Sequence, residues 1–153
     1  MQKSLLTLFF SLLVLMPLSA QKKSASGKEP LFGSKQASYQ IASNELKGAC
    51  FYLVCGHGGP DPGAIGIYQG RQLHEDEYAY DIVLRLGREL LMRGAKVHFI
   101  IQDKKDGIRG GHYLANSKRE TCMGQKIPLD QVQRLKQRCD WVDKLYKQDK
   151  GNY

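Results

Sequence analysis

The sequence predicts an α/β protein with a twisted, largely parallel sheet flanked by helices, and three observations support this fold class. A short apolar run at residues 49–55 ends at Gly56 and is typical of a buried strand. An amphipathic segment at residues 75–93 predicts a helix, and residues 96–101 predict a second strand. Strand, helix and strand in this order predict a βαβ unit with parallel strands and a right-handed crossover.

The helix predicted over residues 75–93 is supported by both of its ends. Acidic side chains occupy the first turn, where the helix dipole favours negative charge, and Arg93-Gly94 marks the end. The spacing of the apolar side chains places them on one stripe, which we expect to face the core. The stripe consists of Ala79, Ile82, Val83, Leu86 and Leu90.

A second amphipathic helix is predicted near the end of the chain, where Pro128 and Asp130 mark its start. Its expected core-facing stripe is Val132, Leu135, Cys139, Val142 and Tyr146. The connection before it, residues 103–127, contains four glycines. A loop of that length usually lines a site or contains a short element.

The first 20 residues have the pattern of a secretory signal peptide. Lys3 precedes an apolar run at residues 5–16, and small residues lead to an expected cleavage after Ala20. The run is shorter than the roughly 20 residues needed to cross a bilayer. We therefore expect export to the periplasm or the cell exterior, with no stable membrane insertion after cleavage.

The rest of the chain divides into two parts by composition. Residues 21–47 are rich in Ser, Lys, Gln and Gly without a sustained apolar period, which predicts a polar tether with at most one ordered turn. Residues 48–153 are predicted to form the folded domain. The whole chain of 153 residues, 42% hydrophobic and 25% charged, has an ordinary globular composition, which excludes disordered and fibrous classes.

A formal net charge of +8 suits an anionic polymer such as cell-wall material. A basic nucleic-acid or membrane-surface protein is the least favoured class, because no basic patch is interleaved with stacking aromatic residues. Several of the basic residues are expected on the exposed side of the second helix: Arg134, Lys136, Arg138, Lys144 and Lys147.

Four cysteines in an exported chain allow three disulfide connectivities. Cys50 and Cys55 are not expected to pair, because an odd separation along one strand points them to opposite faces. A bond between Cys122 and Cys139 remains open. The spacing lacks the paired C-x-x-C units of a structural zinc site.

The glycine-rich segment at residues 56–66 leaves the carboxyl end of the first strand, where open α/β sheets build their sites. It lacks the pattern of a P-loop or a dinucleotide fingerprint. His57 lies at this end, and Glu75 opens the helix that starts from the same end. The two side chains can therefore meet, and imidazole and carboxylate are both zinc ligands. The alternative is a turn histidine and a carboxylate that only complements the helix dipole.

Other histidines and acids are better explained by an ordinary structural position than by metal binding or catalysis. They are His74, as a polar lead-in to the helix, His98, within a strand, His112, in a loop, and the acids Asp61 and Asp81.

Three stretches together resemble the zinc-dependent N-acetylmuramoyl-L-alanine amidases of bacterial cell-wall turnover. They are GHGGPDPGAIG at residues 56–66, LHEDEYAYDI at residues 73–82 and LLMRGAKV at residues 90–97. The resemblance implies a hydrolase that uses Zn²⁺, with His57 as the first ligand and Glu75 as the second. The implied reaction is hydrolysis of the amide between N-acetylmuramic acid and L-alanine in peptidoglycan.

The sequence also departs from the family. Val54-Cys55 precede the Gly-His pair, where the family usually has Asp-Pro. The family's third ligand, a histidine on a later strand, and its catalytic glutamate are both expected beyond Tyr153, as are the remaining strands of the sheet. His112 and Cys55 are substitutes for the third ligand that lie outside the family's register. The alternative function is a non-catalytic peptidoglycan-binding module.

Overall fold

A computed structural model describes residues 25–151, so the predicted signal peptide lies outside the described part of the chain. That part contains two long helices, a short 3-10 helix at Pro30–Phe32 and nine short strands. None of its helices is long and apolar enough to span a bilayer. The helices are α1 (Glu75–Met92) and α2 (Gln131–Asp149), and the strands are β1 (Ser26–Lys28), β2 (Ser38–Gln40), β3 (Cys50–Leu53), β4 (Ile65–Tyr68), β5 (Arg71–His74), β6 (Lys96–Phe99), β7 (Ile101–Gln102), β8 (Thr121–Cys122) and β9 (Gln125–Lys126).

The predicted βαβ unit is confirmed. Strands β3 and β6 pair in parallel, with Tyr52 opposite His98, and α1 lies between them in the chain. Helix α1 begins at Glu75, as predicted from its acidic first turn. Helix α2 begins after Asp130, whose side chain accepts a hydrogen bond from the backbone N–H of Gln133 at 2.8 Å. Local periodicity and capping are therefore sufficient to locate these elements.

The predicted twisted, largely parallel sheet flanked by helices is wrong. Within residues 25–151, the parallel sheet consists of β3 and β6 alone, and the remaining pairings are antiparallel. Two tight hairpin turns account for much of the difference. Gln69-Gly70 joins β4 to β5 and Met123-Gly124 joins β8 to β9, and all four of these residues have positive φ. Two such residues in succession return the chain directly to its neighbour, so no crossover can form there.

The predicted core-facing stripe of α1 is only partly correct: Ala79 and Val83 pack against the core, but the helix is rotated from the predicted orientation. Ile82 is 64% exposed and Leu86 is also exposed, whereas Tyr80, Leu84 and Gly87 are buried. Gly87 permits this rotation, because a Cβ at that position would overlap the ring of Phe99. The helix therefore lies with its glycine against β6.

The predicted stripe of α2 is also only partly correct, since Val142 packs against the core. Val132 is 73% exposed, and Leu135 and Tyr146 are exposed as well. The buried residues of this helix are Arg138, Leu145 and Asp149. Arg138 and Asp149 are charged. They can be buried because Arg138 donates to backbone carbonyls of the glycine-rich segment and Asp149 accepts from polar side chains of the parallel strands.

The structure also differs from the predicted tether at residues 21–47. Strands β1 and β2 form a hairpin within this segment, and the 3-10 helix carries Phe32, which is 1% exposed. Its ring packs edge-on against Tyr39 and Phe99, with centroid distances of 6.2 and 5.7 Å. A short apolar group such as Leu31-Phe32 has no period to detect, so only its packing reveals its role.

Arg109 fastens the long connection at residues 103–127 to α1. Its guanidinium lies 3.0 Å from a carboxylate oxygen of Glu77, 3.1 Å from Asp106 and 3.1 Å from the carbonyl of Ala115. Glu77 is 1% exposed, and it also accepts a hydrogen bond from the backbone N–H of Ser117. Burial raises the pKa of Glu77, and these hydrogen bonds oppose the shift. The connection also contains β8 and β9, in agreement with the expectation of a short element.

Candidate metal centre

The structure brings the two predicted zinc ligands next to each other. His57 Nε2 lies 3.5 Å from Glu75 Oε1, and both side chains are partly exposed. His57 belongs to the glycine-rich segment after β3, and Glu75 is the first residue of α1. Their contact is therefore an observation of the fold, while metal binding by the pair stays a prediction.

The β4–β5 hairpin explains how these distant positions meet. Ile65 is paired with His74 at the open end of the hairpin, so the residues just outside that pair, Ala64 and Glu75, also face each other. Two contacts join them: the Ala64 N–H donates to Glu75 Oε2 at 2.9 Å, and the Glu75 N–H donates to the Ala64 carbonyl at 3.0 Å. Glu75 Oε1 remains directed at His57.

Asp61 orients the imidazole of His57. Its Oδ2 lies 3.1 Å from His57 Nδ1, and its Oδ1 accepts from the Gly63 N–H at 3.2 Å. Burial alone would raise the pKa of Asp61, but the hydrogen bonds from His57 and Gly63 and the nearby Arg134 guanidinium outweigh it and lower that pKa. Asp61 is therefore an ionised acceptor, and Nδ1 must be the donor. This is the arrangement in which a carboxylate holds a metal-binding histidine.

Because Nδ1 is the donor to Asp61, two hydrogen-bond acceptors, His57 Nε2 and Glu75 Oε1, face each other. In the neutral ring, Nδ1 carries the proton and Nε2 has only a lone pair, which is directed at a carboxylate oxygen of Glu75. Such a pair attracts a cation, either a proton or a metal ion.

Gly63 leaves the space in which this pair lies. Its φ is +67°, and an added Cβ would come within 2.7 Å of His57 Cγ and 2.8 Å of Glu75 Oε2. Real Cβ contacts do not occur at such distances. Glycine is therefore required here both by the backbone conformation and by the two side chains.

Arg138 supports the segment from α2, and sequence reasoning missed it. Its guanidinium donates to the carbonyl of His57 at 3.0 Å and to the carbonyl of Gly56, and the residue is buried. Arg134, one turn earlier, lies 2.9 Å from Asp61 Oδ2. Both were predicted on the exposed side of the helix. Their i, i+4 spacing places them on one face, but sequence gives no means of telling that face from the solvent side.

Neither predicted substitute for the third ligand joins the pair. Cys55 is buried, and burial raises the pKa of its thiol to about 12, so it is a poor source of the thiolate that a metal requires. His112 is exposed in the long connection. Among residues 25–151, potential ligand atoms converge within 4.8 Å in two groups of three, and neither group includes His57 or Glu75. All four cysteines are free thiols.

A groove of about 1020 Å³ lies along the same segment. Gly59 and Pro60 line it, opposite the start of α2. The Gly59 N–H donates to Glu120 Oε2 at 3.0 Å, which joins the groove wall to the segment that carries His57. Lys118 and Lys126 line the groove together with Glu120, so its lining contains both positively and negatively charged side chains. A groove of this size is sufficient for a drug-sized molecule or a short polymer segment.

Comparison with models of protein families, with curated proteins and with solved structures finds no match for this chain. The site and the three stretches of sequence are therefore what indicates a function. The site offers one imidazole nitrogen and one carboxylate oxygen to a cation, and the groove is lined by Gly59 and Pro60 of the same glycine-rich segment.

Proposed function

We propose that this chain is a zinc-dependent N-acetylmuramoyl-L-alanine amidase, exported from the cell and acting on peptidoglycan. The observation that supports the proposal is the 3.5 Å separation of His57 Nε2 and Glu75 Oε1 within the segments that resemble the family. The residues fit a zinc ion, because each offers an unused ligand atom and Asp61 fixes the histidine ring.

When bound, zinc lowers the pKa of a coordinated water and polarises the scissile carbonyl. The roles of the chain's own residues follow from the geometry. His57 and Glu75 would hold the metal, and Asp61 keeps the Nδ1 proton of His57 in place.

The groove beside the segment is the proposed binding surface for peptidoglycan. Lys126 can pair with a carboxylate of the stem peptide, whereas Lys118 already pairs with Asp76 at 3.2 Å. Glu120 accepts a hydrogen bond from the Gly59 N–H, two residues after His57. The net positive charge of the chain also favours an anionic wall polymer.

A non-catalytic peptidoglycan-binding module is the second candidate, and the ligand count favours it. A catalytic zinc normally takes three protein ligands, whereas the described residues place two at this pair. In this alternative the groove binds the wall and no amide is cleaved.

Zinc titration and wall digestion separate these functions. We expect the His57→Ala and Glu75→Ala variants each to lose one equivalent of bound zinc in calorimetry, while His112→Ala, which changes an exposed histidine outside the pair, retains it. Incubation of purified peptidoglycan with the wild-type chain and zinc is expected to release new L-alanine amino termini, and the His57→Ala variant should release none. Sedimentation with the wall, without released termini and without zinc at His57, would support the binding module instead.

Replacing Gly63 with Ala is expected to weaken zinc binding at the pair at least ten-fold, about 1.4 kcal/mol. The added Cβ would occupy the space against His57 and Glu75. Gly48→Ala is the matched control, because Gly48 also has positive φ but no neighbour within 4 Å of an added Cβ. Both variants carry a similar backbone strain of roughly 1–2 kcal/mol. Equal zinc affinities in the two variants, measured by calorimetry, would contradict the assignment.

A further inference from the structure

A second cluster of potential metal ligands lies at the opposite end of the parallel strands. Cys50 and Tyr52 occupy alternate positions on β3, and their partners on β6 are Lys96 and His98. Residues at alternate positions share one face of a strand, so these side chains form a polar patch at the start of both strands. Asp149, the last residue of α2, lies against this patch.

The contacts of Asp149 are unusually dense for one carboxylate. Its Oδ2 lies 2.7 Å from His98 Nε2, 2.9 Å from the Tyr52 hydroxyl and 3.5 Å from Cys50 Sγ. Its Oδ1 lies 2.6 Å from Lys96 Nζ. Asp149 itself is 5% exposed. Two strands thus direct four donors at the end of one helix.

The ligand chemistry at this point is that of zinc. One atom each from Cys50, His98 and Asp149 lies within 4.8 Å of the other two. Thiolate, imidazole and carboxylate are the common protein ligands of zinc, and in a tetrahedral site such atoms lie about 3–4 Å apart. A small adjustment of the side chains would therefore admit the ion.

The surroundings of the cluster also fit a metal site. Lys96 binds the carboxylate oxygen that faces away from the other two ligands, so it can remain in place when Oδ2 binds a metal. Tyr52 stacks on the imidazole of His98, with centroids 5.3 Å apart and planes 12° apart, which fixes the plane of the ring. Supporting contacts of this kind orient the ligands of metal sites.

We propose that Cys50, His98 and Asp149 form a zinc site that fastens the end of α2 to the parallel strands. Binding replaces the thiol proton of Cys50, which passes to the solvent. The proton on His98 Nε2 moves to Nδ1, so Nε2 can donate its lone pair to the ion. One proton is therefore released for each zinc ion bound. The site is independent of the pair formed by His57 and Glu75.

Cobalt substitution tests the site in the full chain with its thiols reduced. A cobalt–thiolate bond produces a charge-transfer band in the near ultraviolet, which a site made of histidine and carboxylate cannot produce. We expect the band in the wild-type chain at one equivalent of cobalt, and in the Cys139→Ser and His57→Ala variants. It should be absent in Cys50→Ser and form with at least ten-fold weaker affinity in His98→Ala. Absence of the band from the wild-type chain, or its persistence in Cys50→Ser, would overturn the proposal.

A second measurement avoids any dependence on the folding of variants. Zinc is expected to slow the alkylation of Cys50 by iodoacetamide at least ten-fold in the wild-type chain, as followed by peptide mass spectrometry. Cys139 is exposed on α2 and provides the control within the same molecule. Equal slowing at both cysteines, or none at Cys50, would mean that the contacts form a hydrogen-bond network without a metal. Loss of zinc at His57 together with an intact cobalt–thiolate band would separate this site from the proposed amidase centre.

Discussion

Replacing Arg109 with Ala is expected to lower the free energy of unfolding by about 3–5 kcal/mol. The substitution leaves the buried carboxylate of Glu77 without its cationic partner, and it also removes the contacts to Asp106 and to the Ala115 carbonyl. A buried charge that has lost its partner keeps the full cost of leaving water. Urea unfolding of both proteins at pH 7 measures the difference.

The pH dependence of this loss has a definite sign. Burial raises the pKa of Glu77, and Arg109 opposes that shift, so the variant should raise it further. A carboxyl with a raised folded-state pKa destabilises the fold as pH rises above its ordinary value of about 4.3, because the unfolded chain then loses the proton more readily. The difference between wild type and variant should therefore be larger at pH 7 than at pH 4.

Arg93→Ala is the control for this prediction, since Arg93 pairs at 3.6 Å with Glu45 and both side chains are exposed. A surface pair of this kind is worth about 1 kcal/mol or less. A loss for Arg109→Ala no larger than for Arg93→Ala would mean that the long connection is not fastened to α1 by this contact.

Replacing Phe32 with Ala is expected to cost about 3–5 kcal/mol of stability. The ring is 1% exposed and packs between Tyr39 and Phe99, so truncation leaves a cavity that rigid neighbours cannot fill. Thermal and urea unfolding measure the change. The result also tests whether the segment that contains Phe32 belongs to the packed domain or is a polar tether.

Tyr146→Ala provides the matched control, because it removes an aromatic ring that is exposed on α2. Surface substitutions of this kind usually change stability by less than about 0.5 kcal/mol. If Phe32→Ala cost no more than this control, the segment before β3 would not belong to the core.

Several features of the candidate site could be predicted from the sequence. The glycine-rich segment at residues 56–66 and the acidic start of α1 both have local signals, so His57 and Glu75 could be named as partners. The hairpin that joins them was missed, although Gln69-Gly70 lies at its turn. Ile65 and Ile67 alternate with Gly66, but the strands are exposed, so the usual contrast between a buried and a solvent face is absent.

The supporting residues of the site could not be predicted. Arg138 and Asp149 were indistinguishable from exposed charges, because their partners are backbone carbonyls and side chains far away in the chain. Burial of a charge depends on whether such partners converge at one point. No local pattern contains that information.

The sequence by itself determined where α1 and α2 begin and that β3 and β6 run parallel, because periodicity, capping and chain order act over a few residues. Only the tertiary structure decided which face of each helix is buried and how far the parallel sheet extends. Both depend on close contacts between distant residues, such as Gly87 against Phe99, which an apolar stripe along one helix does not reveal.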